Sequence, residues 1–170
     1  MRHTEPSFAF GSRVRWSQTF DRRMNPFTIY FNIVDEERFA MAVRAYDHIR
    51  QCKEAEKWPE TDNEWKLYFD QQALSHFWWP TQEEKDDWAR RWTATPVPQR
   101  FTEPSLKTPW DFMSMFDAFQ NGEYTLLPIE RVNPKSGILP FDPHSHPYGG
   151  TGCMQAFLES FELEVTHVDD

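Results

Sequence analysis

A strand and helix over residues 27–53, two strands joined by a turn over 124–141, and a helix and strand over 152–168 predict an α+β domain with an antiparallel sheet. Between the first helix and the second strand lies a stretch of different character. With it set aside, the order is βαββαβ, the ferredoxin-like arrangement of two helices on one face of four strands. Pro128 interrupts the second strand, which that topology puts at an edge, where a missing backbone donor is tolerated. The expected architecture is therefore a ferredoxin-like sheet with a Trp-rich helical insert at 57–120, and another two-layer α+β sandwich is the alternative. One domain spans 24–170, and residues 1–23 form a basic N-terminal arm or an edge strand.

The run Phe27 to Val34 (FTIYFNIV) is aromatic and β-branched almost throughout, as expected of a strand covered on both faces or central in its sheet. Asp35 ends it and caps a helix whose first turn carries Glu36 and Glu37, favourably placed against the helix dipole. Phe39, Ala42, Val43, Tyr46 and Ile49 recur at helical spacing to about Lys53.

Seven of the eight tryptophans fall between Lys57 and Phe119. Thr61 with Glu64 and Thr81 with Glu84 read as capping boxes, each pairing a hydroxyl and a carboxylate with free backbone N–H groups. The second of these helices runs from Gln82 to Trp92, acidic early and basic late. Thr108-Pro109 with Asp111 marks a third start, with proline at the first helical position. Its stripe is Phe112, Met115, Phe116 and Phe119, and it stops at Asn121-Gly122. Residues 93–107, with Pro96, Pro98 and Pro104, form a stiffened linker.

Tyr124 to Val132 is the interrupted edge strand, 133–137 a turn, and Ile138 to Phe141 a short strand, with Pro140 an unexpected residue for a central position. A loop follows over 142–151. The last helix carries Met154, Phe157, Leu158 and Phe161 on one face, and Glu162 to Val168 alternates as a half-exposed strand with His167 on the face of Leu163 and Val165.

Composition excludes several classes. Fifteen Phe, eight Trp and five Tyr supply an aromatic core to a chain otherwise poor in aliphatics. Net charge is −9, and since residues 1–23 carry +3, the remaining 147 carry −12, which disfavours a nucleic-acid backbone as partner. The third strand also lacks the basic and aromatic pattern of RNA-recognition sheets. Two cysteines build no disulfide framework, no apolar run reaches the ~18–20 residues of a membrane span, and no signal peptide is evident, so a cytoplasmic protein with no membrane partner is expected.

Four constellations can carry chemistry. His144 and His146, with Asp142, offer transition-metal ligands on an extended segment, with Cys153 and His167 further along, against the plainer reading of solvated histidines in a proline-flanked loop. Gly150, Thr151 and Gly152 lead into a helix whose free N–H groups can hold an anion, or simply let the chain turn. Cys153 in a first helical turn with His144 or His146 as base is a thiol pair, or packed cysteine. Finally, Trp78 and Trp79, with Trp88 and Trp92, are aromatic anchors for a partner or a minor core of their own.

The balance favours a non-enzymatic acidic domain, a stoichiometric inhibitor or immunity-type protein that docks a basic protein through Trp78, Trp79, Trp88 and Trp92. The alternative is a metal-dependent, hydrolase-like enzyme built on His144 and His146. No organic cofactor is called for; a divalent transition metal is the one these side chains suit.

Overall fold

The computed structural model describes residues 26–169. The basic arm and its possible edge strand at Ser12 to Phe20 lie outside the described residues. Strand β1 (Phe27–Asn32) leads into helix α1 (Glu36–Glu54), whose Asp35 cap accepts from the Glu37 and Arg38 N–H groups at 2.8 and 2.9 Å. Helices α2 (Asp62–Lys66), α3 (Gln71–Leu74), α4 (Gln82–Ala94) and α5 (Phe112–Asn121) follow. Strands β2 (Tyr124–Leu126), β3 (Glu130–Asn133) and β4 (Ser136–Pro143), helix α6 (Gly152–Ser160) and strand β5 (Glu164–Asp169) complete the mixed α+β fold.

The sheet has five antiparallel strands in the order β2-β4-β1-β5, with β3 also on β4. Strand β1 is central, as its composition requires: Ile29, Phe31 and Ile33 enter the core, while on the other face Thr28 is buried and Tyr30 is 38% exposed. The two prolines explain each other. Pro128 splits the second strand into β2 and β3, and the Pro140 carbonyl accepts from Leu127 N–H at 3.2 Å. A residue's N–H and C=O leave a strand on the same side, so the donor Pro140 lacks would face this break and costs no ladder bond.

One core joins the sheet to the helical segment. Ala42, Ala45, Tyr46 and Ile49 of α1 meet Phe112, Met115, Phe116 and Phe119 of α5 and Cys153, Met154, Phe157 and Leu158 of α6. The buried stripe of α1 is thus shifted from the expected one, leaving Phe39 and Val43 half-buried. Trp65 enters the same core, stacked on Phe116 with ring centroids 4.1 Å apart.

Local chemistry departs from expectation at three places. Thr61 makes no side-chain capping bond, although it stands at the N-cap of the five-residue α2 with extended backbone. Helix α5 starts at Phe112 under an Asp111 cap that accepts from Ser114 N–H at 3.0 Å, so Pro109 precedes the helix. His167 turns away from Leu163 and Val165: Tyr30 pairs with His167 and Phe31 with Val165, so Thr166 is an extra residue that moves His167 onto the face of Tyr30. No described helix is long and apolar enough to cross a membrane.

Candidate functional site

Helix α4 stands apart from the main core. Its capping box forms as expected, with Thr81 and Glu84 exchanging backbone and side-chain bonds. None of its thirteen residues is buried. It packs on the 3₁₀ turn Pro104–Leu106, where the Trp88 indole N–H donates to Leu106 O at 3.0 Å and Arg91 donates to Ser105 O. Trp88 and Trp92, one turn apart, stack at 5.1 Å. The Phe101 ring meets Trp92 edge-on at 6.0 Å, and the Arg100 guanidinium lies 5.3 Å from its centroid.

This aromatic group stands outside the main core. Phe101 is 79% exposed, and of the eight large apolar residues exposed among the described ones, Leu67, Trp79, Val97, Phe101 and Trp110 belong to the helical segment. At the base of α4 an open cleft of about 410 Å³ is lined by Trp78, Glu83, Glu84, Asp87, Arg91 and Lys107. Trp78 and three carboxylates therefore share this cleft with two basic side chains. The backbone closes this excursion: Trp78 N–H donates to Trp110 O at 2.8 Å, and Trp78 and Asp111 form a parallel bridge.

The four tryptophans singled out in the sequence divide into two pairs. Among the described residues, Trp88 and Trp92 contact each other, Phe101, Arg100 and the 3₁₀ turn on which α4 packs. Trp79 is tied to the body, its indole donating to Leu74 O at 2.9 Å and its ring 5.1 Å from Phe112 beneath the Lys66 ammonium. Trp78 joins the two, bonded to Trp110 and facing the acidic cleft.

The histidine loop separates its members. His144 Nε2 lies 2.8 Å from the Thr125 hydroxyl, beside a cleft of about 470 Å³ that Arg50, Lys53 and Trp58 also line. His146 instead packs between Phe27 and Tyr148, at 6.0 and 5.4 Å. Asp142 pairs in register with Thr125. Among the described residues no three His, Cys, Asp or Glu side chains gather as a ready metal site. Gly149 and Gly150 adopt positive φ (97° and 77°), the left-handed turn into α6. Thr151 makes no side-chain cap, but its hydroxyl accepts from the Gln155 amide at 2.8 Å. Cys153 is buried 3.5 Å from the Tyr124 hydroxyl, and burial pushes its thiol up, overriding any lowering by the helix start.

One pair escaped the sequence reading. Cys52 Sγ lies 3.7 Å from His48 Nε2 on α1, at a cleft of about 420 Å³ that Trp58, Glu60 and Glu64 also line. Burial pushes the thiol up and the imidazole down, so both rest neutral. The spacing of His48 and Cys52 is visible in the sequence, but the Tyr68 ring that fixes the imidazole comes from twenty residues away. Comparison with protein-family models, with curated proteins and with solved structures finds no match to the chain.

Proposed function

We propose that the chain is a non-enzymatic, acidic protein-binding domain that docks a basic protein through its Trp-rich segment, as a stoichiometric inhibitor or immunity-type partner does. The observation that carries this reading is α4, which bears two stacked tryptophans and buries no residue in its own fold. Trp is among the residues most enriched at interaction hot spots, and the half-buried rings of Trp88 and Trp92, with Phe101 exposed beside them, lie outside the core where a partner can complete their burial. The carboxylates of Glu83, Glu84 and Asp87 beside Trp78 outnumber Arg91 and Lys107 in the same cleft by one, and with the net charge of −9 they favour a cationic partner. We also infer a ferredoxin-like frame. Its support is the strand order: with β2 and β3 counted as halves of one interrupted strand, the four strands run second, third, first, fourth across the sheet.

The cleanest test is Trp88→Ala with Trp92→Ala, because these two rings pack on α4, Phe101, Arg100 and the 3₁₀ turn at Pro104–Leu106 and stand outside the main core. Chain immobilised and challenged with cell extract should retain a basic protein at one-to-one stoichiometry, with retention falling as salt rises. The double variant should lose that protein while keeping its thermal midpoint within a few degrees. Identical retention by parent and double variant overturns the reading.

A further inference from the structure

The pair Cys52 and His48 has the geometry of a metal-binding bite. The two residues stand at i and i+4 on α1, the spacing that sets two donors on one helix face. Their donor atoms, Sγ and Nε2, are 3.7 Å apart. An ion at about 2.3 Å from sulfur and about 2.05 Å from nitrogen, the usual zinc distances, would subtend about 116° across that gap, close to the tetrahedral angle.

The imidazole is held in place before any ion arrives. Its ring stacks on Tyr68 at 4.4 Å with a 13° interplanar angle and leans on Trp65 at 5.2 Å. The thiol is carried by a nineteen-residue helix whose core face is fully packed. Rigid support of this kind is what lets two protein donors act together. The cleft they border provides the remaining coordination positions, and its charged residues are Lys57, Glu60 and Glu64, a net negative lining. Glu64 lines the same cleft from α2 and is exposed, although among the described residues it does not stand with His48 and Cys52 as a preformed three-ligand group.

We propose that Cys52 and His48 form a binding site for a zinc-type divalent transition metal, with Glu64 and water completing its coordination. On binding, the sulfur–hydrogen bond breaks, the proton leaves to solvent, and the thiolate and neutral imidazole donate electron pairs to the ion; no oxidation state changes. This site is separate from the His144 loop and independent of partner docking through α4.

Cobalt(II) is the probe, because a thiolate ligand gives it an intense ligand-to-metal absorption and a tetrahedral site strong visible bands. Titration of the whole chain with Co²⁺ should produce both, saturating at one ion per chain, and Zn²⁺ should bleach them. Cys52→Ser should abolish the thiolate band, and His48→Gln should weaken binding at least about tenfold. Cys153→Ser and the double variant His144→Ala, His146→Ala should titrate like the parent. Absence of the thiolate band in the parent at millimolar Co²⁺, its persistence in Cys52→Ser, or its loss in Cys153→Ser overturns the proposal. The parent titration needs no variant to fold, so it decides alone if Cys52→Ser proves unstable. None of these readings depends on Trp88 or Trp92.

Discussion

Arg38 Nη1 lies 2.6 Å from Asp70 Oδ2, and through that bond the first turn of α1 holds the start of α3 against the end of α6. The same guanidinium donates to Ser160 O at 3.1 Å and rests 5.7 Å from the Phe161 ring centroid. Arg38 is almost wholly buried, whereas Asp70 keeps access to water. Arg38→Met retains much of the packing but removes every donor, so we expect a loss of about 2 kcal/mol, measured by urea unfolding.

Acid should weaken the same junction. Partial burial raises the Asp70 carboxyl, but the Ala73 N–H and the Arg38 guanidinium outweigh it and hold the group below the usual carboxylate range. A carboxyl lowered in the folded state stabilises the fold above its unfolded value of about 3.9, and that contribution is lost as pH falls through the folded value. Urea midpoints should therefore drop on acidification below about pH 4, and Asp70→Asn should show a shallower drop. Equal slopes for parent and variant would mean that Asp70 does not carry this linkage.

Two helices end on a glutamate in the left-handed region. Glu56 (φ 52°) follows α1 and Glu162 (φ 58°) follows α6, and in each case the next residue donates back to the helix, Lys57 to Cys52 O at 3.0 Å and Leu163 to Leu158 O at 3.1 Å. Glycine is the residue that adopts this conformation without penalty. Glu56→Gly should raise stability by about 0.5–1 kcal/mol, read from the unfolding midpoint. At the second position the gain should shrink or reverse, because Glu162 accepts from Gln72 at 2.7 Å and faces Arg38.

Gly137 sits on β4 where a Cβ would lie 2.5 Å from Phe31 Cζ and 3.0 Å from Glu130 O. Gly137→Ala is expected to cost about 2 kcal/mol through overpacking. Shortening the opposing ring with Phe31→Leu in the same chain should recover part of that cost, and a double-mutant cycle with no coupling would refute the clash.

The tryptophans should separate into two energetic classes. Trp65→Ala empties a site stacked against Phe116 inside the main core and should cost about 3–5 kcal/mol. Trp92→Ala, on a helix with no buried residue, should cost about 1 kcal/mol or less. Comparable losses at both positions would place α4 in the same cooperative unit as the core.

What was legible in the sequence follows from how local each signal is. The Asp35 cap, the box at Thr81 and Glu84, and the stripe of α5 involve residues within one helix turn or face, and they stand as read. The Thr61 box does not form, and helix length is not the reason, since Asp70 caps the still shorter α3. His167 was misplaced because a bulge inserts Thr166 without disturbing the alternation of residue types, so only strand register reveals which face each side chain joins. The two prolines are intelligible only together, since the tolerance for Pro140 is created by the break at Pro128. His48 and Cys52 were hidden in the same way: their partners Trp65 and Tyr68 arrive from another helix and the turn after it.

The clasp between Trp78 and Trp110 has a bearing on how such a chain can change over time. Its two ends are one hydrogen bond apart, so the rest of the fold meets residues 81–109 as little more than a pair of adjacent anchor points. Closure entropy grows only slowly with loop length, so this excursion can lengthen, shorten or alter its composition while the sheet and its three packed helices stay as they are. A sequence could keep the aromatic core from Ile29 to Leu163 and exchange this segment wholesale, inheriting the scaffold under a new surface.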